Sequence, residues 1–205
     1  MGIFIRPLDS YIPLIYTSIS ESFTTEMKVA IIAGIIAAFP IIVFLIWHFV
    51  GPALFPKEKR KILIYVPIAI ILFCAGVCFC YFVILPFTLK FFLGVASIEV
   101  EAMLSISSYI NFLCKILIPF GLVFETPLIV FFLTNFRIVS TKTLGKTRKF
   151  VLLACFLLGA IITPPDVISQ VCVAAPMYLM YEIGVMLGRL TEKRHRMNET
   201  TEKAA

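Results

Sequence analysis

Glu125 lies in the run Phe120-Gly121-Leu122-Val123-Phe124-Glu125-Thr126-Pro127-Leu128, and Lys115 and Glu182 interrupt apolar sequence in the same way. An acidic residue at mid-helix in a bilayer costs about 2.5–3.5 kcal/mol, so it is kept where it faces protein or water, often to couple protons or ions or to meet a polar partner. Lys115 and Glu125 are ten residues apart, which on one helix is about 15 Å and roughly 280° of rotation, so they do not form a direct pair. Lys115 is near enough to an end to snorkel out of the apolar layer, whereas Glu125 is deeper and shorter. Glu182 is about one turn from the end of its run and reads equally as an interfacial acid or a functional group. Glu58 is different in kind, standing among bases in Phe55-Pro56-Lys57-Glu58-Lys59-Arg60-Lys61. It reads as a solvated charge in a basic loop, or as a carboxylate able to take a guanidinium in a bidentate pair.

Other chemistry is poorly supported. Cys74, Cys78, Cys80, Cys114, Cys155 and Cys172 all fall in apolar runs, and neither histidine has ligand spacing to them. Packing thiols are expected, not disulfides or zinc ligands. The sequence has no Gly-rich phosphate loop, nucleophile elbow or His-Glu metal helix, so no enzyme activity, metal or cofactor is expected.

The elements that must hold these carboxylates are membrane helices. The 205 residues are 60% hydrophobic and 15% charged, with mean hydropathy +1.02, against roughly 25% charged in soluble domains. Five apolar runs can be marked, Val29 to Val50, Ile62 to Leu85, Tyr109 to Phe136, Phe150 to Ile162 and Val171 to Leu187. The first three can cross a hydrocarbon layer of about 30 Å. The fourth, with 13 residues, covers only about 20 Å, and the fifth is at the lower limit of a span. Such short spans thin the bilayer or draw water and headgroups inward. The predicted fold is an all-α, polytopic membrane helix bundle of five spans with the last two short. Its expected organisation is an outer segment over residues 1–27, the bundle over 28–190, and a disordered cytoplasmic tail over 191–205.

Charge gives the orientation. Lys57, Lys59, Arg60 and Lys61 follow the first run, Arg137, Lys142, Lys146, Arg148 and Lys149 follow the third, and Arg189, Lys193, Arg194, Arg196 and Lys203 follow the fifth. These sides are cytoplasmic by the positive-inside rule, and the net charge of +6 is a topology signal, not a nucleic-acid footprint. An odd number of spans then leaves the N-terminus outside with no signal peptide to carry it, which predicts a further helix ahead of Met1.

Breakers complete the layout. Ser105-Ile106-Ser107-Ser108 offers N-caps before the third span. Thr163-Pro164-Pro165-Asp166 ends the fourth, and Asp166 can cap the fifth. Pro40, Pro67, Pro119, Pro127 and Pro176 predict kinks. A proton- or ion-coupled small-solute transporter using Glu125 is the second functional reading, weakened because no internal repeat or paired broken helices are evident.

Several stretches together resemble TatC, the polytopic subunit of the twin-arginine protein translocase. They are Ser20 through Lys28-Val29-Ala30, Trp47-His48-Phe49-Val50-Gly51-Pro52 through Arg60, Phe79-Cys80-Tyr81 through Pro86, Phe120-Gly121 through Phe124-Glu125-Thr126-Pro127, Thr163-Pro164-Pro165-Asp166 with Gln170, and Pro176 through Tyr181-Glu182. The resemblance runs from about Pro7 to Arg189. It implies a six-span, concave, glove-like bundle with both termini cytoplasmic, of which this chain carries five spans. It implies a receptor that binds twin-arginine signal peptides of folded cargo, with Glu58 as the loop acid and Phe49 and Arg60 as its neighbours. Glu125 and Gln170 then match intramembrane polar positions suited to partner contact, and Pro7, Asp166, Pro164 and Pro165 match positions expected to be structural or to serve assembly. The implied partners are TatA-like and TatB-like single-span subunits, further copies of the chain and membrane lipids, with the proton-motive force as energy source. The implied place is the bacterial inner membrane. Two departures stand out. Ile46 occupies a position where the family usually has Gln, and the family's first helix, with its acidic amphipathic lead-in, has no counterpart.

Overall fold

The computed structural model describes residues 14–15, 18–54, 59–95, 104–163 and 166–204. Pro7, Glu58, Pro164 and Pro165 lie outside the described residues. The helices are α1 (Ile19–Leu54), α2 (Lys59–Phe79), α3 (Leu85–Val95), α4 (Ile106–Phe124), α5 (Thr126–Asn135), α6 (Thr141–Ile162) and α7 (Val167–Ala204). Strand content among the described residues is one parallel bridge of two residues a side, Leu14–Ile15 with Leu104–Ser105.

The apolar runs of the sequence are helical along nearly all their length, as lipid demands, because a helix satisfies its backbone polar groups internally. Among the described residues four segments are long and apolar enough to cross a membrane, Ser20–Ile46, Ile64–Phe92, Ile106–Asn135 and Val167–Arg194. α6 begins with the basic turns around Lys142 to Lys149, leaving only Phe150 onward apolar. Of the five spans expected from the sequence, it is the one that falls short of the length and apolarity needed to cross. Large apolar side chains point outward, among them Ile41 at 63%, Phe82 at 70% and Leu153 at 67% exposure. Such a surface suits lipid and would be an aggregation hazard in water.

The chain divides into two compact units, residues 1–121 and 122–205. In the first, α1 packs on α2, and the rings of Phe39 and Phe73 stack with centroids 3.5 Å apart. Phe73 is buried, and a Cβ at Gly121 would run into its ring. Gly121 is therefore required by the aromatic layer. Between α2 and α3 the residues Cys80–Ile84 form a π-helical turn, just ahead of Pro86, which has no N–H to continue an α-helical ladder.

In the second unit, α5 and α6 both pack on α7. The α5 contact rests on Gly184 and Gly188, one turn apart. A Cβ at Gly184 would lie 3.0 Å from the Pro127 Cα, and one at Gly188 would lie 2.9 Å from Thr134. This is the small-xxx-small pattern by which membrane helices bring their backbones close. A cluster of Val130, Leu144, Tyr181 and Val185 fills the space among the three helices.

Two differences from the sequence expectation have physical causes. The third apolar run is two helices, because Pro127 cannot donate to the Val123 carbonyl and α5 restarts at Glu125 with Pro127 in its first turn. The tail expected to be disordered from residue 191 continues α7 as helix to Ala204. Strong helix formers with acids and bases spaced three and four apart support the extension, and Glu192 is held by a contact to α6 described below.

Candidate functional site

The first group of residues lies at the basic side of the first unit. α1 carries Phe49 near its end, and α2 opens with Lys59, Arg60 and Lys61. Phe49 is 83% exposed, a large apolar ring presented where the chain leaves the apolar layer. Glu58 immediately precedes α2 in sequence. An exposed ring of this kind could receive an apolar segment, which needs a greasy surface.

The second group is in the second unit. Glu125 is buried, at 9% exposure, in the turn between α4 and α5. Its N–H donates to the Leu122 carbonyl at 3.1 Å, and its carbonyl accepts from Ile129 N at 2.9 Å. It stands about 15 Å along the axis from Asn135, well inside the span. Gln170, on α7, donates from Nε2 to the Phe156 carbonyl at 2.8 Å. Beside that contact Gly159 lets the helices close, because a Cβ there would lie 3.1 Å from the Gln170 carbonyl oxygen. Glu125 and Gln170 are thus on different elements, and Gln170 spends an amide proton on α6.

Asp166 does what its position predicted. Its Oδ2 accepts from Ser169 N at 3.0 Å and from Ser169 Oγ at 3.2 Å, the geometry of an N-cap on α7. On the preceding side Thr163 Oγ1 donates back to the Gly159 carbonyl at 2.9 Å.

Two carboxylates with clear work, Glu21 and Glu192, were not singled out by the sequence. Glu21, in the first turn of α1, is buried at 6% exposure. Its Oε1 accepts from Ser107 N at 2.9 Å and from Ser105 Oγ, while Oε2 accepts from Ser18 N at 3.3 Å. The Ser18-Ile19-Ser20-Glu21 spacing is that of a capping box, and that local signal could have identified it. Its second role, capping α4 from 86 residues away, has no local signal. The serines before α4 are used, but Ser105 donates its hydroxyl to Glu21. Glu192 plays the same part for α6, where Thr141 N donates to its Oε2 at 3.3 Å and Thr141 Oγ1 donates to the same oxygen. Glu182 accepts from Arg148 Nη2 at 2.7 Å and from Tyr178 Oη at 2.8 Å, so this interfacial acid ties α7 to α6. Lys28, inside the apolar stretch of α1, donates to Asn111 Oδ1 at 2.8 Å, while Lys115 is exposed, as a snorkelling side chain should be.

Among the described residues no group of three or more His, Cys, Asp or Glu side chains could hold a metal ion.

Comparison with known proteins bears on this arrangement directly. The family model described as Sec-independent protein translocase protein (TatC) matches residues 1–176. The Sec-independent protein translocase protein TatC of Carboxydothermus hydrogenoformans is 40% identical over 201 residues, covering 97% of this chain and 83% of that protein. TatCy of Bacillus subtilis is 34% identical over 187 residues, covering 91% of this chain and 74% of that protein. A crystal structure of the twin arginine translocase receptor TatC superposes with a TM-score of 0.85 at 36% identity, covering 93% of this chain and 85% of that chain.

Proposed function

The chain belongs to the TatC family of Sec-independent protein translocase proteins, and from that premise we propose that it is a receptor subunit that binds twin-arginine signal peptides and gathers single-span partners for export of folded cargo. As a TatC protein it is a component of a protein translocase and not an enzyme. The observation that carries the receptor reading is its likeness, in sequence and in fold, to a solved twin arginine translocase receptor.

In this reading Glu58 accepts an arginine of the signal peptide, Phe49 packs on its apolar segment, and Arg60 is a neighbour in the same recognition surface. A carboxylate held at the edge of lipid makes a stronger charge-assisted pair than one in open water. Glu125 and Gln170 would meet polar groups on TatA-like and TatB-like helices docking in part along α6 and α7, with further copies of the chain completing the assembly. Pro7, Pro164, Pro165 and Asp166 would shape the opposite side for that assembly. The proposed setting is a bacterial inner membrane, with the proton-motive force driving transport. Family membership favours cargo recognition over the ion-coupled transporter reading of Glu125.

The test is photocrosslinking of a twin-arginine peptide to the full chain in membranes, with a twin-lysine peptide as control. Glu58→Ala should lower the twin-arginine yield about tenfold or more, as losing a charged hydrogen bond of about 1.5–3 kcal/mol implies. An unchanged yield, or equal yields for the two peptides on the unsubstituted chain, would sink the assignment.

A further inference from the structure

A threonine inside a membrane helix can settle its hydroxyl on the carbonyl one turn back, and this chain does so repeatedly. Thr24, Thr88, Thr134 and Thr191 donate to the carbonyl four residues before at 3.1, 2.8, 2.9 and 3.0 Å. Thr25 does not. It is fully buried, at 0% exposure, and its Oγ1 has no hydrogen-bond partner among the described residues. The carbonyl it would use, that of Glu21, already receives the Thr24 hydroxyl at 3.2 Å. A buried hydroxyl left in that state is costly, so a partner for it is expected.

The surroundings of Thr25 identify that partner. Glu21, Thr25 and Lys28 fall at i, i+4 and i+7 on one stripe of α1, and the two flanking members both reach α4. Glu21 Oε1 accepts from Ser107 N at 2.9 Å, and Lys28 Nζ donates to Asn111 Oδ1 at 2.8 Å. Ser107 and Asn111 are themselves one turn apart, so Thr25 lies in a seam closed by a hydrogen bond on either side. Lys28 is half-buried, about 13 Å from the start of α1 and well inside the Ser20–Ile46 span. The hydrogen bond it makes there goes to a neutral amide, which leaves further protons on the ammonium and on Asn111 Nδ2 to be satisfied.

Water fits this set better than an ion does. The groups left on Lys28 and Asn111 are donors, whereas the Thr25 hydroxyl both donates and accepts. A water molecule can accept from the first two and exchange a hydrogen bond with the third. The Lys28 charge disfavours a cation, and the Glu21 carboxylate one turn away disfavours an anion. We propose that an ordered water occupies the seam between α1 and α4 at Thr25, accepting from Lys28 Nζ and bonded to Thr25 Oγ1, with the Asn111 side-chain amide as its third partner. About three polar partners is the usual complement of a buried water. This water supplies hydration to the Lys28 ammonium inside the apolar layer, a need that Lys115 meets by snorkelling. The site does not depend on the receptor surface around Glu58.

Water-edited solid-state NMR of the full chain in lipid bilayers tests this, reading the build-up of magnetisation from water at assigned side chains. Thr25 and the Asn111 side-chain amide should build up at least threefold faster than Ile32, which lies one turn beyond Lys28 and is 7% exposed. Thr25→Val, close in shape but without the hydroxyl, should slow the Asn111 build-up to the Ile32 rate, and Thr25→Ser should leave it fast. The comparison within the unsubstituted chain needs no variant and stays decisive if the valine chain does not fold. Build-up at Thr25 no faster than at Ile32 overturns the proposal, as does an unchanged Asn111 rate in a folded Thr25→Val chain. A build-up that rises when chloride is exchanged for gluconate also overturns it, since the occupant is then an anion.

Discussion

Arg148 on α6 and Glu182 on α7 form an ion pair, Nη2 to Oε2 at 2.7 Å, with the two side chains 36% and 32% exposed. Tyr178, one turn before Glu182, donates to the other carboxylate oxygen, and Tyr181 on the buried side donates to the Leu144 carbonyl at 2.8 Å. The short fourth span is thereby fastened at its basic end by charge and hydroxyl contacts, where its apolar length is insufficient to hold it. Glu182→Ala should leave both Arg148 and Tyr178 short of an acceptor and lower the stability of the second unit by about 1–2 kcal/mol, after discounting for solvent at this partly exposed pair. A double-mutant cycle with Arg148→Ala, read by thermal unfolding in detergent, should give a coupling of about 1 kcal/mol. Strict additivity would show that the pair carries no energy.

Glu21 should matter far more than its neighbour Glu26, which is exposed. Glu21→Ala strips the acceptor from Ser107 N, Ser105 Oγ and Ser18 N, and a buried amide left without a partner costs about 1–3 kcal/mol. Hydrogen exchange at the first turn of α4 should quicken by tenfold or more in that variant and stay unchanged in Glu26→Ala. Equal effects of the two substitutions would mean that the cap does not hold the helix start.

The glycine pair of α7 sets a steric prediction. Gly188→Leu drives a branched side chain into Thr134, which is buried and whose hydroxyl is committed to the Val130 carbonyl at 2.9 Å. Overpacking of this kind costs about 1–3 kcal/mol. Gly145→Leu on α6, where a Cβ would meet nothing within 4 Å, is the matched control and should be neutral. Gel filtration and thermal unfolding of the two variants decide it.

Hydropathy made the helices legible, since a run that must satisfy its own backbone in lipid has one solution, and the shortness of the fourth span could be counted from Phe150 to Ile162. Asp166 could be read as a cap because its partner Ser169 is three residues away. The cross-helix contacts of Glu21, Glu182 and Glu192 could not be read in the same way, because those partners are 86, 34 and 51 residues distant. The Gly184-x-x-x-Gly188 spacing was present as a signal, but its partner helix was not. Nothing in the sequence marks Arg137, which ends the α5 turn with φ of 57°, a left-handed position where glycine is usual. The peptide-contact residues illustrate the converse. Phe49 and Glu58 are ordinary by pattern and were reached through family resemblance, because recognition of a foreign peptide leaves no periodicity in the receptor.

The aromatic layer of the first unit yields the last prediction. Phe73 is 2% exposed, stacks on Phe39, and occupies the space that Gly121 leaves open. Phe73→Ala should open a cavity and cost about 3–5 kcal/mol, the usual loss for a buried phenylalanine. Gly121→Ala alone should also destabilise, by about 1–3 kcal/mol, because the added methyl meets the ring. The two defects are complementary in shape, so the pair Phe73→Leu and Gly121→Ala should be less damaging than the sum of the single substitutions. The non-additivity expected is at least about 0.5 kcal/mol, as for residues in direct contact. Unfolding of the four proteins in one detergent measures it, and a sum that holds within error would mean that the ring and the glycine do not share the space assigned to them.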